Sequence, residues 1–265
     1  MGYVLGAHFG HDASVALVGD GKIIHYEKER FSRVRHDSGE IRFLYEGLLR
    51  EHAISPDEIV AIAATSLGDH FNAERSRPHW NDLLDVDESR TSYFGPILPC
   101  YWMPHHTAHA AYALYTSTFA EADVFVLDGK GDPFRGRQAD HAIGHIRHPI
   151  SSDVAQWELT QPDYLGIGEA WDRLSTHLFG NWWSAGTVMA LAGIPAAQFQ
   201  GLTGFDLSVK QEVDTLQQST TDAFVGALSG DYPAVLSGGC ALNGIANYAV
   251  LQKCGCVHAP PAAHD

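Results

Sequence analysis

Cysteine is scarce in this 265-residue sequence. The four cysteines are Cys100, Cys240, Cys254 and Cys256, and none of them belongs to a Cys-x-x-Cys pair. Four cysteines are too few for a disulfide-stabilised scaffold, and their spacing differs from that of a structural zinc site. We therefore expect a reduced, intracellular protein.

Long hydrophobic runs are also missing. No run reaches the roughly 18 apolar residues that a membrane-spanning helix needs. The first residues, MGYVLGAHFGHDASV, lack the basic stretch followed by an apolar stretch that marks a secretory signal. We expect a soluble, cytoplasmic protein without a membrane partner.

Basic residues are few, since 17 Lys and Arg stand against 32 Asp and Glu, which gives a formal net charge of -15. Such a surface repels a nucleic-acid backbone, so we expect no nucleic-acid partner. A phosphate-bearing ligand would need backbone N–H groups, a metal ion or a few placed cations. Hydrophobic residues make up 45% of the chain, which is enough to bury a sizeable core.

Strand and helix signals alternate along the chain, as in α/β proteins. The turn Gly19-Asp20-Gly21 predicts a β-hairpin between strands at 15–18 and 23–31. The N-terminal pattern of a strand followed by a loop of small and polar residues recurs from residue 122. This recurrence indicates an internal duplication. The polar residues 68–99, broken by prolines, predict an irregular excursion. Further strands are predicted at 3–7, 59–66, 122–128 and 234–239, and helices at 40–53, 105–115, 164–180, 206–229 and 241–253.

The strongest chemical signal is the pair His105 and His109. Residues four apart share one face of a helix, so both imidazoles can converge on one ion. Asp128 follows an apolar strand and can add a carboxylate to complete a mixed site, and imidazole suits Zn, Fe, Cu or Ni. The alternative is an exposed helix that carries histidines by chance. His-Glu-x-x-His is excluded, because the second residue is His106.

A second signal is the turn that contains Gly10, His11 and Asp12. Small residues there let the backbone approach a ligand, and His11 or Asp12 could act on a proton or a phosphate. An ordinary polar β-turn explains the same residues.

Two glycine segments complete the pattern. Gly238 and Gly239 lie between a strand and a helix, where a nucleotide can approach closely and a helix N-terminus favours an anion. Gly186 enters a hydrophobic helix. Simple packing accounts for either segment taken alone.

In this order, the segments resemble the carbamoyltransferase family of nodulation and antibiotic biosynthesis. YVLGAHFGHDASVALVGDGKII, followed by EKERFSRVRHD, is similar to the family's phosphate-binding meander and its Glu-Arg-Phe-Thr-Arg stretch. HHTAHAAYALYTSTFAEADVFVLDGKGD is similar to its metal helix and the strand after it. GTVMALA, LSGGCALNGIAN and PPAAHD are similar to its Gly-Lys-Val-Met turn, its adenylate segment and its late acidic ligand.

The resemblance implies an actin-like ATPase fold, ribonuclease-H-like, with two duplicated lobes around a cleft at residues 1–118 and 119–265. It implies relatedness to the threonylcarbamoyl-adenosine synthases. It also implies transfer of a carbamoyl group from carbamoyl-adenylate, derived from ATP, to a hydroxyl or amine of a small-molecule acceptor. The residues it implies are His105, His109, Asp128 and Asp265 as ligands of Fe or Zn, His11 and Asp12 as catalytic groups, and Gly10, Arg35, Gly129, Gly186, Gly238, Gly239 and Asn243 as nucleotide contacts.

The sequence also departs from the family pattern. Lys130 replaces an apolar residue, and Thr187 stands where a lysine is common. The family's C-terminal domain, which makes carbamoyl-adenylate from carbamoyl phosphate and ATP, has no counterpart in the chain. The chain is then expected to be either a fragment, or a shortened homologue whose partner is a separate adenylate-forming protein. Three alternatives stay open, namely a subunit that only binds nucleotide and metal, a related ATPase or hydrolase, and an α/β protein with chance histidine clustering.

Overall fold

The computed structural model describes residues 2–65, 87–103, 105–129, 140–147, 156–160, 165–202 and 205–260. Contacts divide the chain after Ala108 into two units, and each unit contains one mixed β-sheet. Helix α3 (His105–Thr116) runs through this division as one continuous helix. The lobe boundary between residues 118 and 119 stays a prediction.

The first sheet has six strands in the order β3-β2-β1-β4-β6-β5. Strands β1, β2 and β3 form an antiparallel meander, β4 and β6 continue parallel to β1, and β5 is antiparallel to β6. Their bounds are Tyr3–His8, Ser14–Gly19, Lys22–Glu27, Ile59–Thr65, Asp87–Thr91 and Leu98–Trp102 for β1 to β6.

The second sheet has five strands in the order β11-β10-β7-β8-β9. Again three antiparallel strands, β7 to β9, are followed by two strands parallel to the first of them. The repeated topology confirms the predicted internal duplication. The bounds are Glu121–Leu127, His141–Arg147, Gln156–Thr160, Ala234–Ser237 and Val257–His258 for β7 to β11.

The helices join these strands. Besides α3, they are α1 (Lys28–Ser32), α2 (Arg42–Glu51), α4 (Ile167–Phe179), α5 (Ala185–Leu191), α6 (Ala196–Phe199), α7 (Leu207–Ala227) and α8 (Gly244–Cys254). Each of the five predicted helices is present. Among the described residues, none of the helices combines the length and apolar character needed to cross a membrane.

The hairpin prediction is confirmed at β2 and β3, where Gly19 pairs with Lys22. Asp20 and Gly21 both have positive φ, 52° and 68°. Positive φ at both central residues is the signature of the type I′ turn, whose twist matches that of the two strands.

Two local predictions are wrong. The strand predicted at 23–31 ends at Glu27, and Lys28–Ser32 forms α1, because this segment consists mainly of good helix formers. Within the predicted excursion at 68–99, β5 and the start of β6 are regular strands. Pro99 is tolerated there because the pairing of β6 with β4 begins only at Cys100. Residues 66–86 lie outside the described residues.

Each unit has its own core. In the first, the alternate residues Leu5, Val15 and Leu17 of the meander are fully buried and pack with α2. In the second, Trp171 of α4 is fully buried and donates its indole N–H to Oγ1 of Thr220 at 2.9 Å. Strands β7 and β10 are buried along nearly their whole length, as expected for the centre of a covered sheet.

Stability is expected to depend on pH through His145 of β8. Its Nδ1 lies 3.1 Å from Asp123 and its Nε2 2.9 Å from Glu121, so the imidazolium can donate to two carboxylates. Burial lowers the pKa of His145, but the hydrogen bonds to the two carboxylates raise it by more. The pKa therefore lies above its usual value of 6.5. The stabilisation is therefore fully present below the unfolded-state pKa and is lost as the pH rises through the folded-state value.

We expect His145→Gln to lower the free energy of unfolding by about 1 kcal/mol near pH 6, and by less near pH 8.5. Urea unfolding at both pH values measures this difference, with substitution of the exposed His177 as control. Equal losses at the two pH values would contradict the assigned charge.

Candidate metal centre

Helix α3 presents His105 and His109 on one face, as their spacing predicts. Both side chains are buried, with 3% and 7% of their surface exposed. Burying an imidazole is costly unless it has a polar partner or binds an ion. This face of the helix therefore needs polar partners or an ion in addition to apolar packing.

Asp128 directly follows β7, at the carboxyl end of a strand that has β10 as a parallel neighbour. Its Oδ2 lies 3.2 Å from Nε2 of His109, and its Oδ1 accepts the N–H of Gly129 at 2.7 Å. The backbone N–H thus orients one carboxylate oxygen and turns the other toward the imidazole.

Ser237, the last residue of β10, holds the other side of His109. Its Oγ lies 3.3 Å from Nδ1, and Ser237 is fully buried. A partner on one ring nitrogen fixes how the ring presents the opposite nitrogen, which is the usual arrangement around a metal-bound histidine. Ser237 and His109 are distant in sequence, and only the pairing of β10 with β7 indicates that they meet.

Glycines line the turn that carries Asp128. Gly238 has φ +83°, and a Cβ there would lie 2.4 Å from the carbonyl oxygen of Leu127. A Cβ on Gly239 would lie 3.2 Å from Oδ1 of Asp128. Gly168 of α4 is tighter still, since its Cβ would lie 2.1 Å from the carbonyl oxygen of Asp128. Glycine is therefore required at Gly238 and Gly168, where the backbone passes the end of β7 too closely for a side chain.

The donor set fits a divalent transition metal. Ligand atoms of His105, His109 and Asp128 all lie within 4.8 Å of one another. Two imidazoles and one carboxylate suit Zn or Fe and leave coordination positions for a ligand. Asp265, the fourth ligand implied by the resemblance, lies outside the described residues.

Two further carboxylates near this turn were missed by the sequence analysis. Asp140 is fully buried, accepts the N–H groups of Leu165 and Gly166, and accepts from Nδ1 of His141 at 2.7 Å. A Cβ on Gly129 would lie 2.7 Å from Oδ2 of Asp172. No motif surrounds either aspartate, so spacing alone gives no signal for them.

The local field at this turn is negative. Burial raises the pKa of the Cys240 thiol well above its usual value, and Asp128, Asp172 and Asp140 raise it further. Cys240 is therefore a neutral thiol rather than a nucleophilic thiolate. A cation would be attracted by the same carboxylates.

His11 and Asp12 form a second polar group, in the first unit. Nδ1 of His11 lies 2.8 Å from Oδ2 of Asp12, and Nδ1 of His36 lies 2.9 Å from Oδ1. Burial raises the pKa of Asp12, but the hydrogen bonds from both imidazoles lower it by more. The net pKa is lowered, so Asp12 is held as a carboxylate. A carboxylate on Nδ1 places the proton there and the basic lone pair of His11 on Nε2.

The remaining predicted nucleotide contacts lie in different surroundings. Gly10 packs against His8, because a Cβ on Gly10 would lie 2.7 Å from Nε2 of that side chain. Arg35 is exposed beside His36, and Gly186 lies exposed in the first turn of α5. Their roles toward a nucleotide stay predictions.

Asn243 has a structural role at the start of α8. Its Oδ1 accepts the N–H of Ala246 at 3.1 Å, and its amide exchanges two hydrogen bonds with Gln217 at 2.8 and 3.1 Å. The side chain is 3% exposed. Its predicted contact with an adenylate stays a prediction.

Comparisons with known sequences give weak relatives. The nodulation protein NolNO of Sinorhizobium fredii is 27% identical over 186 residues, covering 60% of this chain and 26% of NolNO. The uncharacterized protein sll1178 of Synechocystis is 28% identical over 169 residues, covering 50% of this chain and 26% of that protein. The chain thus aligns with about a quarter of the length of these curated relatives. No protein-family model matches it.

Solved structures match nearly the whole chain at low identity. Component A of (R)-2-hydroxyglutaryl-CoA dehydratase from Acidaminococcus fermentans has a TM-score of 0.55 and 12% identity, covering 99% of this chain and 93% of that one. The activator of 2-hydroxyisocaproyl-CoA dehydratase from Clostridium difficile, with bound ADPNP, has 0.54 and 10%, covering 98% and 88%. Full-length HypF in its phosphate- and nucleotide-bound form has 0.51 and 11%, covering 97% and 52%. The chain therefore has the actin-like ATPase fold, as the sequence predicted.

Proposed function

We propose that this chain is a carbamoyltransferase that transfers the carbamoyl group of carbamoyl-adenylate to a hydroxyl or amine of a small-molecule acceptor. The observation that carries the proposal is the grouping of buried His105 and His109 of α3 with the half-buried Asp128 that follows β7. The similarity to NolNO and the structural likeness to a nucleotide-bound HypF support it.

A divalent ion held by His105, His109 and Asp128, with Asp265 as the proposed fourth ligand, would bind the donor phosphate and polarise the carbamoyl group. The chain itself aligns the ligands. The N–H of Gly129 orients Asp128, and Ser237 orients His109. We propose Fe or Zn, because imidazole with carboxylate suits both.

The nucleotide would lie against the glycine turns. Gly238 and Gly239 pass Leu127 and Asp128 too closely for a side chain, and we propose that the peptide groups of this turn contact the nucleotide. We propose Gly10, Arg35, Gly129, Gly186 and Asn243 as further contacts. Because the chain carries a net charge of -15, backbone N–H groups and a metal ion would be needed to hold an adenylate.

We propose His11 as the base of the reaction and Asp12 as its orienting carboxylate. Nε2 of His11 would take the proton of the acceptor hydroxyl while the acceptor oxygen forms a bond to the carbamoyl carbon. The bond from that carbon to the phosphate oxygen would break, and AMP would leave with the bonding electron pair. Asp12 would stabilise the resulting imidazolium.

A second candidate is a subunit that binds and hydrolyses a nucleotide without transferring a carbamoyl group. The likeness to the dehydratase activator with bound ADPNP favours it. A related possibility is that the chain acts only together with a separate carbamoyl-adenylate-forming protein.

The test is transfer from carbamoyl-adenylate formed in the reaction by an added adenylate-forming enzyme. We expect hydroxyl acceptors to gain one carbamoyl group by mass spectrometry, with one AMP released per transfer. His11→Gln should slow the transfer by about 100-fold or more, whereas substitution of exposed His177 should leave it unchanged. Nucleotide hydrolysis with no carbamoylated product from any acceptor would favour the second candidate.

A further inference from the structure

Asp12 in the first unit serves two imidazoles and not one. Nδ1 of His36 lies 2.9 Å from Oδ1 and 3.1 Å from Oδ2, while Nδ1 of His11 lies 2.8 Å from Oδ2. The carboxylate is 6% exposed. Because both nitrogens face a carboxylate that only accepts hydrogen bonds, both must donate to it.

We propose that His36 is a positioning residue that controls the basicity of His11 through the carboxylate they share. The inference rests on the proposed function for the role of His11 as the base. The coupling between the two imidazoles is a property of the unliganded protein and is testable without any substrate.

The backbone supports a built arrangement. Asp12 and His36 both have φ in the left-handed region, 61° and 54°, which is costly for residues other than glycine and is often found at functional sites. Backbone bonds hold the two loops together, since the N–H of Ala13 donates to the carbonyl of Asp37 at 2.9 Å. The N–H of His36 donates to Glu29 at 3.2 Å.

The physical role of His36 follows from the charge on Asp12. A carboxylate paired with a single histidine raises the pKa of that histidine, and a protonated histidine cannot act as a base. A second N–H donor from His36 takes up part of the negative charge of Asp12. His11 is therefore kept less basic, so that more of it is neutral at the working pH.

Other charged and titratable groups surround this arrangement. Nε2 of His8 in β1 lies 3.0 Å from the carbonyl of His11. Helix α1 and the loop after it contribute the charged groups Lys28, Glu29 and Asp37. Nζ of Lys28 lies 3.2 Å from Asp37. None of them is substituted in the His36 variants, so we attribute an expected change in His11 to the loss of the shared donor.

Two substitutions at position 36 separate the donor from the backbone. Asparagine and glycine both tolerate the left-handed region, and Asn keeps an N–H donor near the position of Nδ1, whereas Gly has none. The measurement is the pKa of His11, followed by NMR on its imidazole Cε1–Hε1 signal in chelator-treated protein and assigned by the loss of that signal in His11→Gln.

We expect His36→Gly to raise the pKa of His11 by about half a pH unit or more, and His36→Asn to restore a value close to that of the unaltered protein. Asp12→Asn should lower it, since the negative charge is gone. In carbamoyl transfer, the acid limb of the kcat/KM profile should move to higher pH in His36→Gly. If this variant fails to fold, His36→Asp should give an even larger rise.

An unchanged pKa of His11 in His36→Gly, or equal changes in the Gly and Asn variants, would overturn the proposal and leave His36 a structural residue. Stoichiometric loss of the His11 and His36 signals on adding Zn²⁺ to His109→Ala would also overturn it, in favour of a cation site. If the pKa of His11 moves as expected but no acceptor is carbamoylated, the proposed function fails and the coupling stands.

Discussion

His109→Ala is expected to weaken binding of Zn²⁺ or Fe²⁺ by at least about 100-fold. Loss of a group that only orients a metal ligand typically weakens metal binding by about 10- to 100-fold, and we propose that His109, whose Nε2 lies 3.2 Å from Asp128, is itself a ligand. The substitution removes one of three converging donors and leaves the Asp128 carboxylate without its imidazole neighbour. Competition with a chromophoric chelator measures the affinity.

The controls for this result lie in the same unit. Substitution of exposed His177 removes an imidazole of the same chemistry and should leave the affinity unchanged. Ser237→Ala should weaken binding less than His109→Ala, by about 10-fold, because Ser237 only orients the ring. Equal affinity in His109→Ala and the unaltered protein would remove His109 from the metal centre.

Gly168→Ala is expected to destabilise the protein by about 3 kcal/mol and to weaken metal binding about 10-fold. The added Cβ would lie 2.1 Å from the carbonyl oxygen of Asp128 and 2.7 Å from the N–H nitrogen of Gly129. Both are backbone atoms that no side-chain rotation can move away, so α4 and the Asp128 turn must separate. Urea unfolding and the chelator assay measure the two effects.

Gly226→Ala is the matched control, because it lies in α7 with open space around its Cβ position. We expect it to stabilise the protein slightly, by about 0.5 kcal/mol, since alanine is the better helix former. A Gly168→Ala protein as stable as this control, with unaltered metal affinity, would contradict the close packing of α4 against the Asp128 turn.

The parts of the fold that depend on local periodicity were predictable. The spacing of His105 and His109 placed both on one helical face, and the apolar strand before Asp128 indicated that a carboxylate follows its end. The type I′ turn at Asp20 and Gly21 follows from residues that tolerate positive φ. The duplication was visible because each half begins with an apolar strand and a polar loop.

The parts that depend on distant pairing were not predictable. Ser237 reaches His109 only because β10 lies parallel to β7, and no local pattern reports that pairing. His36 follows an exposed, basic stretch, and nothing in its spacing shows that its loop is held against Asp12. The short helix α1 is different, because its residues are mainly good helix formers and a local signal for it was present.

The most direct test of the proposed donor site is AMP binding measured by calorimetry in chelator-treated protein, with and without Fe²⁺ or Zn²⁺, and in His109→Ala. We expect a single AMP site that requires the metal ion and is lost in the variant, because an ion bound to His105, His109 and Asp128 would hold the phosphate. AMP binding that is equally strong without metal and in His109→Ala would contradict it.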